Sequence, residues 1–312
     1  MKRRWLLFWM LALPAVPMGA ENSADLASTG VLILAHGHEQ DWNRQVEALT
    51  AHFPFPVELA LGMAHKGAIS DGVRRLEKRG VGRIVVVPLY ISSYSAIIRA
   101  SAYLLGLAEK APPELEMFNS MSHGLQDPRA GSAEGEELAD LSPIRSALPI
   151  YMTSALDDHP LVAEILLDRA RSISVNPGRE TVILVGHGAE TEEDEAMWQA
   201  KMSRLAATIK KRGGFFGAEV VTVLDDAPKE LRDRATARLR AGVERASGSG
   251  TALVIPLLLS RGGIEDGLRQ RLSGLRYRIP DNFLLPDARI VEWVGQQVEQ
   301  ALRERWAGKH PE

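Results

Sequence analysis

The chain repeats itself, and the repeat restricts its fold more than any other feature. Val31-Leu-Ile-Leu-Ala-His36-Gly37 returns as Val182-Ile-Leu-Val-Gly-His187-Gly188. Each is an unbroken apolar run ending in His-Gly, and a run without polar alternation fits a parallel strand buried on both faces. After each His-Gly a polar stretch opens an amphipathic helix. Trp42, Val46 and Leu49 mark its apolar face in the first copy, and Trp198, Met202, Leu205 and Ile209 in the second. A second strand follows in each copy, Val57 to Met63 and Glu219 to Leu224. Each leads to another helix, through Ile69, Val73 and Leu76 and through Leu231, Ala235, Leu239 and Val243. The third strands, Arg83 to Ile91 and Thr251 to Leu259, both carry a late proline, Pro88 and Pro256. Proline donates no hydrogen bond and is rare in a buried strand, so the same placement twice argues for duplication. The copies also close alike. Ser154 to Pro160 enters a helix through Ile165 and Leu166, and Phe283 to Asp287 enters one through Val291, Val294 and Val298.

Strands alternating with helices of this length predict βαβ units. The fold class is therefore α/β, with two tandem Rossmann-like, parallel-sheet, three-layer domains over 30–176 and 180–303. The linker lies near Val175-Asn-Pro-Gly-Arg179. Right-handed crossovers align the strand C-termini along one edge, where open parallel sheets bind ligands. His36 and His187 both fall at that edge. The segment from about 111 to 148 breaks the repeat, with Pro112, Pro113, His123 and an acidic stretch from Glu134 to Asp140. It reads as a mobile surface insertion between a third and a fourth strand.

The N-terminus sets an expected location. Lys2, Arg3 and Arg4 precede an apolar run from Trp5 to Val16 and a small-residue exit at Pro17-Met-Gly-Ala20. This is the pattern of a signal peptide over 1–20, which predicts a periplasmic or secreted protein. The other reading is an uncleaved anchor, although the run falls short of the roughly 20 residues of a comfortable span.

Composition narrows the chemistry. A formal net charge of -3 gives no electrostatic footprint for nucleic acid. With no cysteine, any metal must be held by His, Asp, Glu or main-chain oxygen. Neither first strand is followed by a glycine-rich phosphate loop, and there is no Gly-x-Ser-x-Gly elbow.

A strand ending in His-Gly, followed by a strand ending in Val-Pro-Leu, resembles the sirohydrochlorin chelatases of the CbiX/SirB type, the class II tetrapyrrole chelatases. Further matches are Asp225-Asp-Ala-Pro228 and the stretch from Leu156 through Asp157-Asp-His-Pro160 to Arg169. The resemblance covers about Gly30 to Leu302. It implies two chelatase-like lobes with a cleft between them and insertion of cobalt, iron or nickel into a tetrapyrrole without ATP. It also implies that the first-strand histidine holds the metal, here His36 and in the second copy His187. A second family histidine follows the third strand in a Gly-Gly-His context. This chain departs from that pattern, with Ala96 and Ile264 at the corresponding places.

A neutral imidazole can be ligand or base near neutral pH and suits cobalt and iron. His36 fits either role, or that of a turn histidine bonded to its own loop. His38 and Glu39 either complete a divalent site with it or are solvated residues opening a helix. His65, just past the second strand, is a ligand or a loop residue. His123 is an axial ligand folded over the cleft or an exposed loop residue. The run from Glu190 to Glu195 after His187 suits a helix N-terminus and could also attract a cation. Arg99, Arg261 and Arg269 are the arginines expected nearest the cleft, where a guanidinium fork suits tetrapyrrole carboxylates.

Two functions follow. The first is a sirohydrochlorin chelatase-like enzyme that takes a divalent metal, cobalt or iron, as substrate. The second is a non-catalytic exported protein of the same fold that binds metal, haem or another tetrapyrrole. Two lobes in one chain make a monomer the expected state, with membrane contact only through an uncleaved leader.

Overall fold

Seven buried residues in a row make β1 (Thr29–Ala35) the axis of the first half. It lies between β2 (Val57–Leu61) and β3 (Arg83–Pro88), and β4 (Ile150–Met152) joins the far side of β3, all parallel. The second half repeats the plan. There β5 (Glu180–Gly186), also buried throughout, lies between β6 (Gly217–Thr222) and β7 (Thr251–Pro256). An isolated parallel bridge between Leu253 and Arg278 stands where the first sheet has its fourth strand. The computed structural model describes residues 26–37, 40–122, 140–189, 191–260 and 263–305. The expected leader, His38, Glu39, His123 and Arg261 lie outside them. Among the described residues no helix is long and apolar enough to cross a membrane.

Nine α-helices are described: α1 (Gln40–Thr50), α2 (Lys66–Lys78), α3 (Ala96–Leu104), α4 (Leu115–Ser122), α5 (Pro160–Ile173), α6 (Glu192–Gly213), α7 (Lys229–Ser249), α8 (Gly263–Arg271) and α9 (Ala288–Arg305). Strand periodicity decides which of them each sheet face meets. Val31 and Ile33 of β1, and Val182 and Leu184 of β5, point into one central core shared by both halves. Side chains of α1, α5, α6 and α9 fill that core. Leu32 and Leu34 point the other way, against α2, α3 and α4. Ile183 and Val185 likewise face α7 and α8. The last helix of each half reaches over the other sheet, with α5 against β7 and α9 against β3. Trp293 of α9, fully buried, sits in the shared core.

Two local outcomes differ from the sequence reading. The apolar runs of the third strands extend beyond Pro88 and Pro256, but β3 and β7 end at those prolines. The following Tyr90 and Ile91, and Leu258 and Leu259, line a cleft between the halves instead. The break at 111–148 is also not a loose surface loop throughout. Leu115 and Phe118 are buried at helical spacing, and Leu141, Ile144 and Leu148 pack on the same outer cluster. The described ends of the insertion are thus part of the first half's core.

Candidate functional site

The site grows from the two His-Gly turns. In each sheet the chain leaves the central strand for a neighbour on one side and later returns to the other side, which makes the C-terminal end of β1 and of β5 a switch point. Gly37 (φ 59°) and Gly188 (φ 89°) take up the reversal in the left-handed region. A Cβ on Gly37 would lie 3.0 Å from the Gly62 amide nitrogen, and one on Gly188 2.7 Å from a Leu224 methyl. Glycine is therefore required on both counts, and the histidine before it is left at the sheet edge.

Both rings are held the same way. His36 Nδ1 lies 3.2 Å from the Gly37 carbonyl oxygen, and His187 Nδ1 lies 3.0 Å from that of Gly188. A carbonyl can only accept, so Nδ1 carries the proton and donates. In a neutral ring this leaves the lone pair on Nε2, the pattern of metal-ligating histidines that anchor their other nitrogen on a backbone carbonyl. His36, His187, Asp225 and Asp226 all line one cleft of about 600 Å³.

The second half adds an acidic pair. Leu224 holds a left-handed conformation (φ 53°), unusual for a branched residue, and donates its amide to the His187 carbonyl at 2.8 Å. That turn presents Asp226, whose Oδ2 lies 3.1 Å from His187 Nε2. With Nδ1 already donating to Gly188, this contact favours the protonated form of His187. Burial opposes the charge, but the Asp226 bond and the Gly188 carbonyl outweigh it and raise the pKa. The Asp226 carboxyl is held below its usual range by His187, against burial, with a further contribution from His36. The Trp198 ring packs beside His187, with centroids 6.3 Å apart. Asp225 is paired with Arg271.

The expected site residues divide. His36, His187 and Arg99 are brought to the same cleft. His65 is not. It is the N-cap of α2, its Nδ1 accepting from the Ala68 amide at 3.0 Å, and it does not line the cleft. The physical reason is the turn: Ala64 is left-handed (φ 49°), as Leu224 is, and the next side chain is used to start a helix. Asp225 follows the equivalent turn in the second half and faces the cleft. Arg269 is also absent from the cleft wall and pairs with Glu265 and Asp281. Arg261 lies outside the described residues. His159 caps α5 by accepting from the Leu161 amide.

Arg99 is engaged rather than waiting. It contacts Asp194 across the cleft at 2.7 Å and Glu114 of its own half at 3.0 Å. Burial works against its charge, and the two carboxylates more than offset this and raise its pKa. The acidic first turn of α6 is likewise used internally: Asp194 also accepts from Thr191, and Glu195 accepts from the Ala189 amide. The sequence reading took these acids for helix-start residues or a cation lure and missed the Asp194 link, because nothing local places them beside Arg99. Asp226 was visible only as part of the Asp225-Asp-Ala-Pro228 match. Among the described residues, no three side chains of metal-binding type are gathered closely enough to hold an ion. Ala96 and Ile264, standing where the family pattern has its second histidine, both line the cleft.

Comparison with known proteins agrees with this geometry. Residues 30–117 match the CbiX family model. No curated protein matches the chain by sequence. Among solved structures, SirB from Bacillus subtilis with Fe3+ is similar over 87% of this chain and 94% of its own, at 14% identity and a TM-score of 0.56. The sirohydrochlorin chelatase SirB from Bacillus subtilis subspecies spizizenii in complex with cobalt is similar over 88% and 96%, at 13% identity and a TM-score of 0.54. DR2241 from Deinococcus radiodurans, a multi-domain protein with structural similarity to chelatases, is similar over 92% of this chain but 57% of its own length, at 17% identity and a TM-score of 0.50. Residues 30–117 are thus similar in sequence to the CbiX family, and the chain across both halves shares the fold of the SirB structures.

Proposed function

We propose that this protein is a metallochelatase that inserts a divalent metal, cobalt or iron, into a tetrapyrrole bound in the cleft between its halves. The observation that carries the reading is the pairing of His36 and His187 in one cleft, each with Nδ1 bonded to the carbonyl of the following glycine. In the neutral state both rings offer Nε2 to a soft-to-borderline divalent ion. Asp226 stands beside His187 and favours its protonated form while the metal is absent. Loss of that proton to solvent frees Nε2 as a ligand, and once the metal has passed to the macrocycle the vacated imidazole and the Asp226 carboxylate can take up the two pyrrole protons that insertion releases. The histidine missing after each third strand is offset by the second copy, since each half supplies one first-strand histidine. The bound iron and cobalt named for the two SirB structures support the choice of metals.

The test is anaerobic mixing with cobalt(II), in separate runs with sirohydrochlorin and with a dicarboxylate porphyrin, following the absorption spectrum. At least a tenfold acceleration of metallation, lost in both His36→Ala and His187→Ala with the fold intact, is the expected result. A second reading is favoured by the alkyl side chains of Ala96 and Ile264 in the cleft: an exported protein that binds a tetrapyrrole or metal without inserting one. A shifted pigment spectrum with no acceleration would select it.

A further inference from the structure

The cleft also says which tetrapyrroles it suits, an inference that rests on the reading of it as a tetrapyrrole site. We infer that it takes a macrocycle bearing few carboxylates in preference to a polycarboxylate such as sirohydrochlorin, which carries an acetate and a propionate on every ring. The walls are apolar from both sides. Ile91, Ile97 and Phe118 come from the first half, and Trp198, Leu259 and Ile264 from the second. These surfaces suit the faces of a flat hydrophobic ring.

The charges present in the cleft point the same way. Asp194, Asp225 and Asp226 line it, and each already occupies a cation beside it, Arg99, Arg271 and His187 respectively. Arg99 already satisfies two carboxylates, those of Asp194 and Glu114. Arg271, behind Asp225, is paired with it. A ligand carboxylate that exchanges with Asp194 on Arg99 keeps that guanidinium satisfied, so one or two carboxylates at the cleft mouth are accommodated. Each further carboxylate that meets alkyl or aromatic surface, or one of these paired aspartates, would lose its hydration without an uncommitted arginine or lysine in return among the described lining residues. A ring edge carrying methyl, vinyl or ethyl groups would instead bury those groups against the same walls.

The experiment is an equilibrium absorption titration of the chain with two metal-free probes, deuteroporphyrin with two carboxylates and uroporphyrin with eight. The expected result is a Kd for deuteroporphyrin at least about tenfold lower, in line with the cost of desolvating unpaired carboxylates. Uroporphyrin binding as tightly, or more tightly, overturns the inference and leaves the tetrapyrrole site standing. Failure of both probes to bind overturns the inference together with the reading beneath it. Ile97→Arg locates the effect in this cleft. It adds a cation to the apolar wall and is expected to narrow the ratio of the two Kd values at least about threefold, a modest fraction of a charge-assisted contact. An unchanged ratio in a variant with an unchanged melting temperature would place the probes elsewhere and overturn the inference.

Discussion

At the scale of single residues, the two histidines owe their position to the glycines that follow them. Gly188 combines a left-handed backbone with a Cβ direction blocked by Leu224, Thr222 and Glu195, at 2.7 to 2.8 Å. Gly106 has a similar backbone (φ 73°) but open space around the same direction. Alanine at each therefore separates backbone strain from collision. Gly106→Ala should cost about 1 kcal/mol, the penalty of a left-handed alanine. Gly188→Ala should cost about 2–4 kcal/mol, because overpacking adds to that penalty. It should also displace His187 from Asp226. Urea unfolding of both variants checks the energies, and equal losses would mean that the contacts around Gly188 yield freely. This is why His-Gly was legible in the sequence: the motif is short, local and sterically enforced. His65 was not legible as a cap, because the same ring nitrogen that binds metal also accepts from a helix amide, and only the left-handed turn at Ala64 decides between them.

At the scale of elements, the joint between α5 and α9 centres on the Asp287 carboxylate. Asp287 accepts from Arg169 of α5 at 3.2 Å and from Arg289 of α9 at 2.9 Å, while Arg289 also reaches Asp168 at 2.7 Å. Burial tends to raise the Asp287 pKa, but its bonds to Arg289 and the nearby Arg169 charge prevail and lower it. The folded-state pKa is thus below the unfolded value of about 3.9, so the stabilisation is present above that pH and is lost as the pH falls through the folded-state value. Asp287→Asn should destabilise the protein at pH 7 by about 2 kcal/mol, since it leaves two guanidinium groups short of a partner. The difference from the parent chain should be smaller at pH 3 and shrink further below it, as the carboxyl takes up its proton. Denaturant midpoints at the two pH values test this, and a difference independent of pH would assign the loss to packing. Helices α1, α2, α5, α6, α7 and α9 and the central strands were readable from periodicity, from β1 at Val31 to α9 at Val298, because each is a local pattern, whereas α3, α4 and α8 were not. The crossing of α5 and α9 to the opposite sheets was not, since an apolar helix face records that it is buried but not against what. The Arg99–Asp194 contact escaped for the same reason, its partners being far apart in the chain and joined only by the crossing of the halves.

For the molecule as a whole, that crossing ties the fate of each half to the other. The central core takes Val31, Ile33 and Val85 from the first sheet and Val182, Leu184 and Leu253 from the second, with α5, α6 and α9 between them. Removing the second half strips α9 from β3, and removing the first strips α5 from β7. Ion pairs are few in comparison: Asp158 joins the halves through the half-buried Lys201 and the exposed Arg204, and an exposed pair such as the latter contributes roughly 0–1 kcal/mol. Burial of the shared core should therefore make the two halves unfold together, despite the repeat that suggests two independent units. Urea denaturation followed by far-ultraviolet circular dichroism and by tryptophan fluorescence should give coincident transitions, the second signal including Trp198 and Trp293 in the shared core. Trp293→Ala, which empties the largest fully buried side chain, should shift both curves together by about 3–5 kcal/mol. A first transition that leaves half the helical signal intact would show instead that one sheet holds its helices without the other. The cleft would then be a junction between independent units, free to open as one body moves. Coincident curves mean that His36 and His187 are held in register by the same core that folds the chain, so that the two halves of the site exist together or not at all.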